Sequence, residues 1–311
     1  MKARILILTL VLLAACQPVE MDYEYQKTLA ESTPQTGEGY TLTVQATKAV
    51  GTKALELEGN TLNGYWVDGE KVGVYVNGTY CGSLTADATG EMSATATLSG
   101  TLSPSSVLAA GKTITLLFPD RTDIDIQQGT RWDYTGQTGA APAPDGDLST
   151  KYDYMTATLT INSVENGNLN VTAPVSFQSE QSMFRFKFNN GSLMHPKSII
   201  VSTANEKLVR SLSWDNNGTL TSTYGSLTVT PTSTPNDGFY YFSLRNETSA
   251  SEDSFQFGLV GSDDMLYSGT KTITSKLSYG KFYNPAAAIS VTAVTVSSNS
   301  TTPINDPNAV L

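Results

Sequence analysis

The stretch that decides the fold is YTLTVQATK, Tyr40–Lys48, in which apolar and polar residues alternate. The apolar set is Tyr40, Leu42, Val44 and Ala46, and polar residues fill the positions between them. Successive side chains of a β-strand point to opposite faces of the sheet. A period of two therefore predicts a strand that is buried on one side and hydrated on the other.

The same alternation recurs along the chain. It is found at Val72/Val74/Val76, Ile114/Leu116/Phe118, Phe184/Phe186/Phe188 and Phe255/Phe257/Leu259. Asn-Gly pairs such as those at residues 77–78 and 166–167 supply the tight turns that join antiparallel strands. No stretch of ten or more residues has helical spacing, so the sequence predicts an all-β fold with two sandwiches.

The length of 311 residues favours two domains, because single domains usually have about 100–150 residues. We expect an N-terminal sandwich over residues 40–171 and a C-terminal sandwich over residues 172–311. Residues 16–39 are acidic and poor in large aliphatic side chains, which is typical of a flexible tether. Residues 136–151, GQTGAAPAPDGDLSTK, are interpreted as a long exposed loop.

The N-terminus indicates export. Lys2 and Arg4 precede eleven mostly apolar residues, Ile5–Ala15, a run too short to span a membrane and typical of a secretory signal over residues 1–15. The motif Leu13-Ala14-Ala15-Cys16 resembles the lipobox of bacterial lipoproteins. This resemblance implies that Cys16 carries lipid and becomes the first residue of an exported lipoprotein at the outer membrane or cell surface.

The charge excludes one class of partner. Removal of residues 1–15 takes Lys2 and Arg4 away and moves the formal net charge from −10 to −12. Nucleic acids need a basic protein surface, so no nucleic-acid partner is expected.

The sequence offers little catalytic chemistry, and we expect no enzyme, no cofactor and no metal site. His195 is the single histidine, and it stands in a turn-like stretch without a hydrolase motif. Cys81 is interpreted as a small core residue. A glycosidase would need paired carboxylates, and the candidates are loop acids that we interpret as solvated: Asp120, Asp123, Asp125, Asp263 and Asp264. Trp132 is a candidate for stacking on a ligand.

Six segments occur in an order that is similar to a known family. They are YTLTVQATK (40–48), YWVDGEKVGVYV (65–76), GKTITLLFPD (111–120), YDYMTATLT (152–160), VSFQSEQSMFRFKF (175–188) and KLSYGKFYNP (276–285). Together with the lipobox, they resemble the fimbrillin-like lipoproteins, the subunits of type V pili of anaerobic Gram-negative bacteria. The resemblance covers most of residues 40–290.

The resemblance implies two tandem transthyretin-like, Greek-key β-sandwiches and assembly by donor-strand exchange. In this family, a protease removes the first strand of the lipidated precursor, and the C-terminal strand of a neighbouring subunit fills the groove. The partners would be other pilin subunits, self or related. Physically, an unpaired sheet edge would recover its backbone hydrogen bonds from the incoming strand.

The sequence has candidates for each part of this mechanism. The removable strand would present Tyr40, Leu42, Val44 and Ala46, and Lys48 and Lys53 follow as processing sites. No arginine lies between Arg4 and Arg121, so cleavage here would follow a lysine. The candidate donor strand carries Ile289, Val291, Val294 and Val296, with a shift of phase after Ala293 that suggests a bulge or a junction.

Two functions follow as hypotheses. The leading one is a fimbrial subunit or pilin-like surface lipoprotein that serves cell adhesion. The alternative is a monomeric surface-exposed lipoprotein that binds glycan or a host protein through an exposed aromatic residue such as Trp132. A host or bacterial surface receptor would be a further partner in either case.

Overall fold

The computed structural model describes residues 39–48, 56–58, 61–90, 93–120, 130–143, 146–214, 220–248, 252–274 and 277–295. The described chain is almost entirely β-structure, which confirms the all-β prediction. One short helix, α1 (Asp147–Lys151), interrupts the strands.

Eleven strands precede residue 180. They are β1 (Tyr40–Lys48), β2 (Glu56–Glu58), β3 (Thr61–Asn63), β4 (Lys71–Val76), β5 (Thr79–Asp87), β6 (Thr95–Leu102), β7 (Thr113–Phe118), β8 (Thr130–Asp133), β9 (Met155–Glu165), β10 (Asn168–Val171) and β11 (Val175–Ser179).

Twelve strands follow. They are β12 (Ser182–Phe186), β13 (Phe188–Asn189), β14 (Leu193–Met194), β15 (Ser198–Thr203), β16 (Val209–Trp214), β17 (Leu220–Tyr224), β18 (Leu227–Val229), β19 (Tyr240–Leu244), β20 (Asp253–Val260), β21 (Leu266–Ile273), β22 (Phe282–Tyr283) and β23 (Ile289–Ala293).

The first sheet closes on itself. Hydrogen-bonded neighbours run from β1 through β6, β5, β4, β7 and β9, and the circuit returns to β1 through β10 and β11. Both edges of β1 are therefore paired. The first core fills the interior of this circuit, and Trp66 is its largest side chain.

The second core lies among three further sheets. Their strand orders are β14–β13–β23–β21–β20–β15–β18, β19–β12–β22 and β17–β16–β8. Its centre is aromatic, because Phe184 and Phe186 of β12 pack against Phe255, at ring-centroid distances of 5.1 and 5.7 Å. The alternating phenylalanines of the sequence thus form the centre of this core.

Residues that precede β9 also enter the second core. Strand β8 pairs with β16, and Trp132, Tyr134 and Tyr154 are almost completely buried in the second core. Tyr75 and Leu117 of the first sheet also belong to it. The two cores therefore share elements, and the boundary at residue 172 stays a prediction.

The prediction that residues 136–151 form an exposed loop was wrong for the described part. Gln137 is 1% exposed, and its side-chain amide exchanges hydrogen bonds with the backbone of Ser243 in β19. The backbone of Tyr241 donates to the carbonyl of Gly139 at 3.0 Å. These residues run alongside β19 and satisfy backbone groups there, although their Gly- and Ala-rich composition is typical of loops.

Candidate functional site

The candidate site is the position of β1 in the first sheet. Eight consecutive residues of β1, Tyr40–Thr47, pair antiparallel with β6. On its other edge, β1 pairs in parallel with β10 near its start and with β11 near its end. The strand is thus bonded along both sides, and its removal would leave a slot between β6 on one side and β10 and β11 on the other.

The apolar face of β1 is fully inserted in the first core. Leu42, Val44 and Ala46 are each 2% exposed or less, while Thr41, Thr43 and Gln45 are exposed. Tyr40 is half-buried, and its hydroxyl accepts a hydrogen bond from the backbone of Leu108 at 3.3 Å. The alternation in the sequence corresponds directly to this division between core and solvent.

The neighbours of β1 form the walls of the slot. Val44 lies opposite Leu98 of β6, and Ala46 lies between Ala96 of β6 and Val175 of β11. Leu42 lies opposite Gly100, where a Cβ would come within 2.3 Å of the Ser83 carbonyl oxygen. The slot thus holds a large side chain, Leu42, at its first position and a small one, Ala46, at its third.

Lys48 ends the strand inside the protein. Its side chain is 0% exposed, and its Nζ lies 2.7 Å from the Glu70 carboxylate and 3.3 Å from the Tyr65 carbonyl oxygen. The ammonium also lies 3.2 Å from the centroid of the Trp66 ring, which is a cation–π contact. A buried ammonium needs such compensation, because its desolvation is costly.

The burial of Lys48 bears on processing. A trypsin-like protease must receive the whole lysine side chain in its specificity pocket, so cleavage after Lys48 would require this end of β1 to leave the sheet. The second candidate, Lys53, lies outside the described residues, as does the candidate lipidation site Cys16.

The candidate donor strand β23 is held by fewer contacts than β1. It pairs with β21 over three residues and with β13 over two. Ile289 and Val291 are each 4% exposed and lie in the second core. Val294, by contrast, is 40% exposed, and Val296 lies outside the described residues. The buried face of β23 therefore ends at Val291, and Ala293 and Val294 beyond it are exposed.

Strands β1 and β23 have equivalent side chains, a relation that the periodicity of each strand alone does not indicate. Leu42, Val44 and Ala46 in LTVQA have the spacing and order of size of Ile289, Val291 and Ala293 in ISVTA. The intervening residues are polar in both segments, Thr43 and Gln45 in β1 and Ser290 and Thr292 in β23. A direct comparison of the first and last strands would have shown this relation, because both are visible in the sequence.

Trp132 is not available for ligand stacking in this conformation. The side chain is 1% exposed, and its ring packs against Tyr154 with the centroids 6.0 Å apart. Strand β8 is only four residues long, which is too short for its alternation to indicate a buried position. Cys81 is buried and free, as predicted for a small core residue.

The remaining polar candidates are dispersed. His195 is half-buried and lies 3.5 Å from the Tyr240 hydroxyl through its Nδ1 atom. The carboxylate of Asp120 accepts a hydrogen bond from Tyr80, and burial raises its pKa. Asp263 accepts from Tyr267, whereas Asp264 forms an ion pair with Lys197. Asp123 and Asp125 lie outside the described residues.

The described residues contain neither a candidate metal cluster nor a membrane-spanning helix. Within the described ranges, no group of three or more His, Cys, Asp or Glu side chains could hold a metal ion. In the same ranges, α1 is the one helix, and none is long and apolar enough to cross a bilayer.

Several solved structures resemble this chain. A proposed cell adhesion protein from Bacteroides ovatus superposes with a TM-score of 0.42 at 13% identity, over 82% of this chain and 96% of its own. A fimbrial protein from the same organism has a TM-score of 0.34 at 15% identity, over 79% and 48% of the two chains. The tip fimbrial protein Mfa3 of Porphyromonas gingivalis has a TM-score of 0.35 at 10% identity, over 75% and 81%.

No family model matches the sequence, and no curated protein is significantly similar to it. At these identities and TM-scores, the superpositions do not assign a function.

Proposed function

We propose that this protein is a subunit of a surface fimbria, or a pilin-like surface lipoprotein, that assembles by strand exchange and serves cell adhesion. The single observation that carries the proposal is the equivalence of β1 and β23. The strand whose removal would open the first sheet has the same order of apolar side chains as the last described strand.

Removal of β1 would expose apolar side chains and unpaired backbone groups that favour the binding of another strand. Full burial of a valine or leucine side chain contributes about 1.5–3 kcal/mol, and loss of β1 would uncover the walls that Leu42 and Val44 now cover. The backbone groups of β6 that now bond to β1 would also lose their partners. An unpaired apolar edge of this kind is a template for strand addition.

Strand β23 of a neighbouring subunit would fit the vacated slot in a defined register. Ile289 would replace Leu42, Val291 would replace Val44, and Ala293 would replace Ala46. The third residue is an alanine in both strands, and Ala46 lies between β6 and β11. In this register Thr295 would replace Lys48, so the assembled form would lose the ion pair with Glu70.

Processing in this scheme would follow Lys53 rather than Lys48. Lys48 is enclosed by Glu70, Tyr65 and Trp66, whereas cleavage after Lys53 leaves the pairing of β1 intact at the moment of the cut. The released segment would then carry the lipid on Cys16, so the lipid would deliver the precursor rather than anchor the final assembly. Without cleavage, the same cysteine would be the permanent attachment to the outer membrane.

A limited digest tests the proposal. Purified full-length precursor is treated with a lysine-specific protease, and the new N-terminus and the ladder of assembled species on a native gel are both recorded. We expect a new N-terminus at Ala54 and a ladder whose length increases with protein concentration.

Two variants serve as controls. Lys53→Ala should block both the cut and the ladder, whereas Lys48→Met should still be cut after Lys53. Monomer at every concentration after complete cleavage would contradict strand exchange. A first cut after Lys48 in the folded precursor would contradict the assignment to Lys53.

A further inference from the structure

The outer face of the large sheet of the second core has an unusual composition. We call it the polar face and define it by the outward residues of β18, β15, β20, β21 and β23. One row across these strands is Thr228, Ile200, Gly258, Ser268 and Thr292, and a second row is Ser202, Gln256 and Thr270. None of these side chains can ionise, although the chain has 19 basic and 29 acidic residues.

Two clefts meet on the polar face. The larger has a volume of about 770 Å³ and lies between β21 and the start of β23, with Thr270, Lys271 and Ser290 among its lining residues. The smaller has a volume of about 410 Å³ and is lined by Ser202, Glu206 and Tyr224. Gln256 lines both clefts, so an extended ligand that occupied them would cross this side chain.

The larger cleft arises because β23 departs from β21. Their pairing ends at Gly269 and Val291, and the start of β23 pairs with β13 instead. The segment Thr270–Ile273 of β21 consequently has β20 as its sole strand neighbour within the described residues. The opening is thus a feature of the strand arrangement and not only of side-chain positions.

Tyr224 lies at the far end of the smaller cleft with its ring fixed. The residue is 39% exposed, and its hydroxyl donates to the Glu247 carboxylate at 2.8 Å. The Lys207 ammonium lies 4.5 Å from the ring centroid. An exposed aromatic ring with a fixed orientation is a suitable surface for the apolar face of a sugar ring, since little side-chain entropy remains to be lost on binding.

From these observations we infer that the polar face binds an extended, neutral glycan chain. Serine and threonine hydroxyls and the glutamine amide both donate and accept hydrogen bonds, as the hydroxyls of a sugar do. The two rows of the polar face carry no charge, and the basic and acidic residues that line the clefts, Lys271 and Glu206, offset each other, which matches a neutral ligand. The net charge of −10 disfavours an anionic one. A polypeptide strand added to Thr270–Ile273 would use only the larger cleft and would not reach Tyr224.

Gly258 provides the variant that tests this inference. A Cβ built there meets only the Ile200 Cβ, at 3.8 Å, so the sheet has room for a side chain at this position. Gly258→Tyr would place a ring over the centre of the polar face, whereas Gly258→Ala adds a single methyl group and is the matched control. Tyr224→Ala removes the aromatic ring at the end of the smaller cleft.

The experiment is affinity electrophoresis of the uncut full-length monomer, so its result does not depend on cleavage or assembly. The probes are three neutral polysaccharides (mannan, xylan and laminarin), two anionic ones (heparin and polygalacturonate) and a synthetic peptide of the sequence YTLTVQATK. We expect at least one neutral polysaccharide to retard the protein. Gly258→Tyr and Tyr224→Ala should each weaken this binding by about tenfold or more, which corresponds to about 1.4 kcal/mol, and Gly258→Ala should leave it unchanged.

Three results would overturn the inference. In the first, no neutral polysaccharide retards the protein. In the second, only the anionic polysaccharides or the peptide retard it. In the third, a neutral polysaccharide binds, but Gly258→Tyr leaves that binding unchanged. The circular dichroism spectrum of each variant shows whether the sheet is intact, so a loss of binding through misfolding is recognised.

Discussion

At the scale of single residues, Lys48 has an unusual environment for a charged side chain, because it is fully buried. It follows an exposed strand face in the sequence, and its charge predicted a surface position open to a protease. The structure buries it, because Glu70, the Tyr65 carbonyl oxygen and the Trp66 ring lie around its ammonium. These partners are 17 to 22 residues away in the chain, and no local pattern in the sequence indicates them.

The buried pair leads to a stability prediction. Lys48→Met leaves the Glu70 carboxylate without its ammonium in a poorly solvated site, and breaking a buried pair in this way costs about 3–5 kcal/mol. The double variant Lys48→Met/Glu70→Leu removes both charges and should lose much less than the sum of the two single changes. Urea denaturation of the four proteins of this cycle measures the coupling.

The chain contains a matched control for this cycle. Lys197 and Asp264 form an ion pair of the same length, 2.7 Å, but their side chains are 51% and 79% exposed. Lys197→Met should change the free energy of unfolding by less than about 1 kcal/mol, as for other exposed pairs. Equal losses for Lys48→Met and Lys197→Met would contradict the role given to burial.

Glu247 leads to a prediction of pH dependence. Burial alone would raise the pKa of Glu247, but hydrogen bonds from Ser222, Arg245 and Tyr224 outweigh it and lower the pKa below its usual value of 4.5. A carboxylate with a lowered pKa in the folded state stabilises the protein above its unfolded pKa. This contribution is lost as the pH falls through 4.5 towards the lower folded value.

The measurement is the free energy of unfolding from about pH 6 to about pH 3. Wild type should lose more stability over this range than Glu247→Gln, because the amide cannot take up a proton. The exposed Glu206→Gln serves as the control and should follow the wild-type curve. Parallel curves for Glu247→Gln and wild type would disprove the prediction.

At the scale of elements, the alternation of apolar and polar residues predicted the strands that are long and have one hydrated face. It identified β1 and its buried face, and it identified the phenylalanines of β12. It failed for short or irregular segments. Trp132 lies on a strand of four residues, and residues 136–143 satisfy the backbone of β19 without forming a strand of their own.

The buried side-chain amide of Gln137 holds residues 136–143 against β19. Its side chain donates to the carbonyl oxygens of Tyr134 and Ser243 at 2.9 Å and accepts from the Ser243 backbone at 2.8 Å. Gln137→Ala would leave these backbone groups buried without partners, at about 1–3 kcal/mol for each group. We therefore expect a loss of stability of at least that size in thermal or urea denaturation.

Gln178→Ala is the comparison for Gln137→Ala. Gln178 is exposed and bonds only to the Ser176 hydroxyl among the described contacts, so its replacement should stay within about 0.5 kcal/mol of wild type. A similar loss for both variants would indicate that the amide of Gln137 does not hold residues 136–143 against β19.

At the scale of the whole molecule, the sequence predicted the fold class and the candidate strands but not the relation between them. That β1 closes the circuit of the first sheet depends on its pairing with β6, β10 and β11, which are between about 50 and 130 residues away in the chain. Propensity and periodicity are local, so they cannot indicate closure. The residues of the candidate site could be predicted from the sequence, but the position of β1 between β6 on one side and β10 and β11 on the other could not.

The equivalence of β1 and β23 leads to a prediction for the cut protein. Once β1 has been removed, a synthetic peptide covering residues 289–295 should occupy the slot and prevent assembly in proportion to its concentration. A peptide with serine in place of Ile289 and Val291 should not, because it cannot fill the apolar positions. Native gels at increasing peptide concentration measure the effect.

The native β1 peptide, residues 40–48, is the positive control and should bind at least as well. Equal inhibition by the serine-substituted peptide would show that the backbone alone determines binding, and it would contradict the proposed register. No inhibition by the 289–295 peptide, with inhibition by the 40–48 peptide, would exclude β23 as the donor while leaving the slot as the acceptor.

The paired edges of β1 also have a mechanical consequence. A strand bonded along both sides and pulled along its own axis is loaded in shear, so that all its backbone hydrogen bonds resist the force together rather than opening one after another. A strand that took over the same slot would inherit this loading geometry from eight residues of β6 and from parts of β10 and β11. Such a joint would have high tensile strength without a covalent bond, which is what a filament exposed to flowing liquid requires.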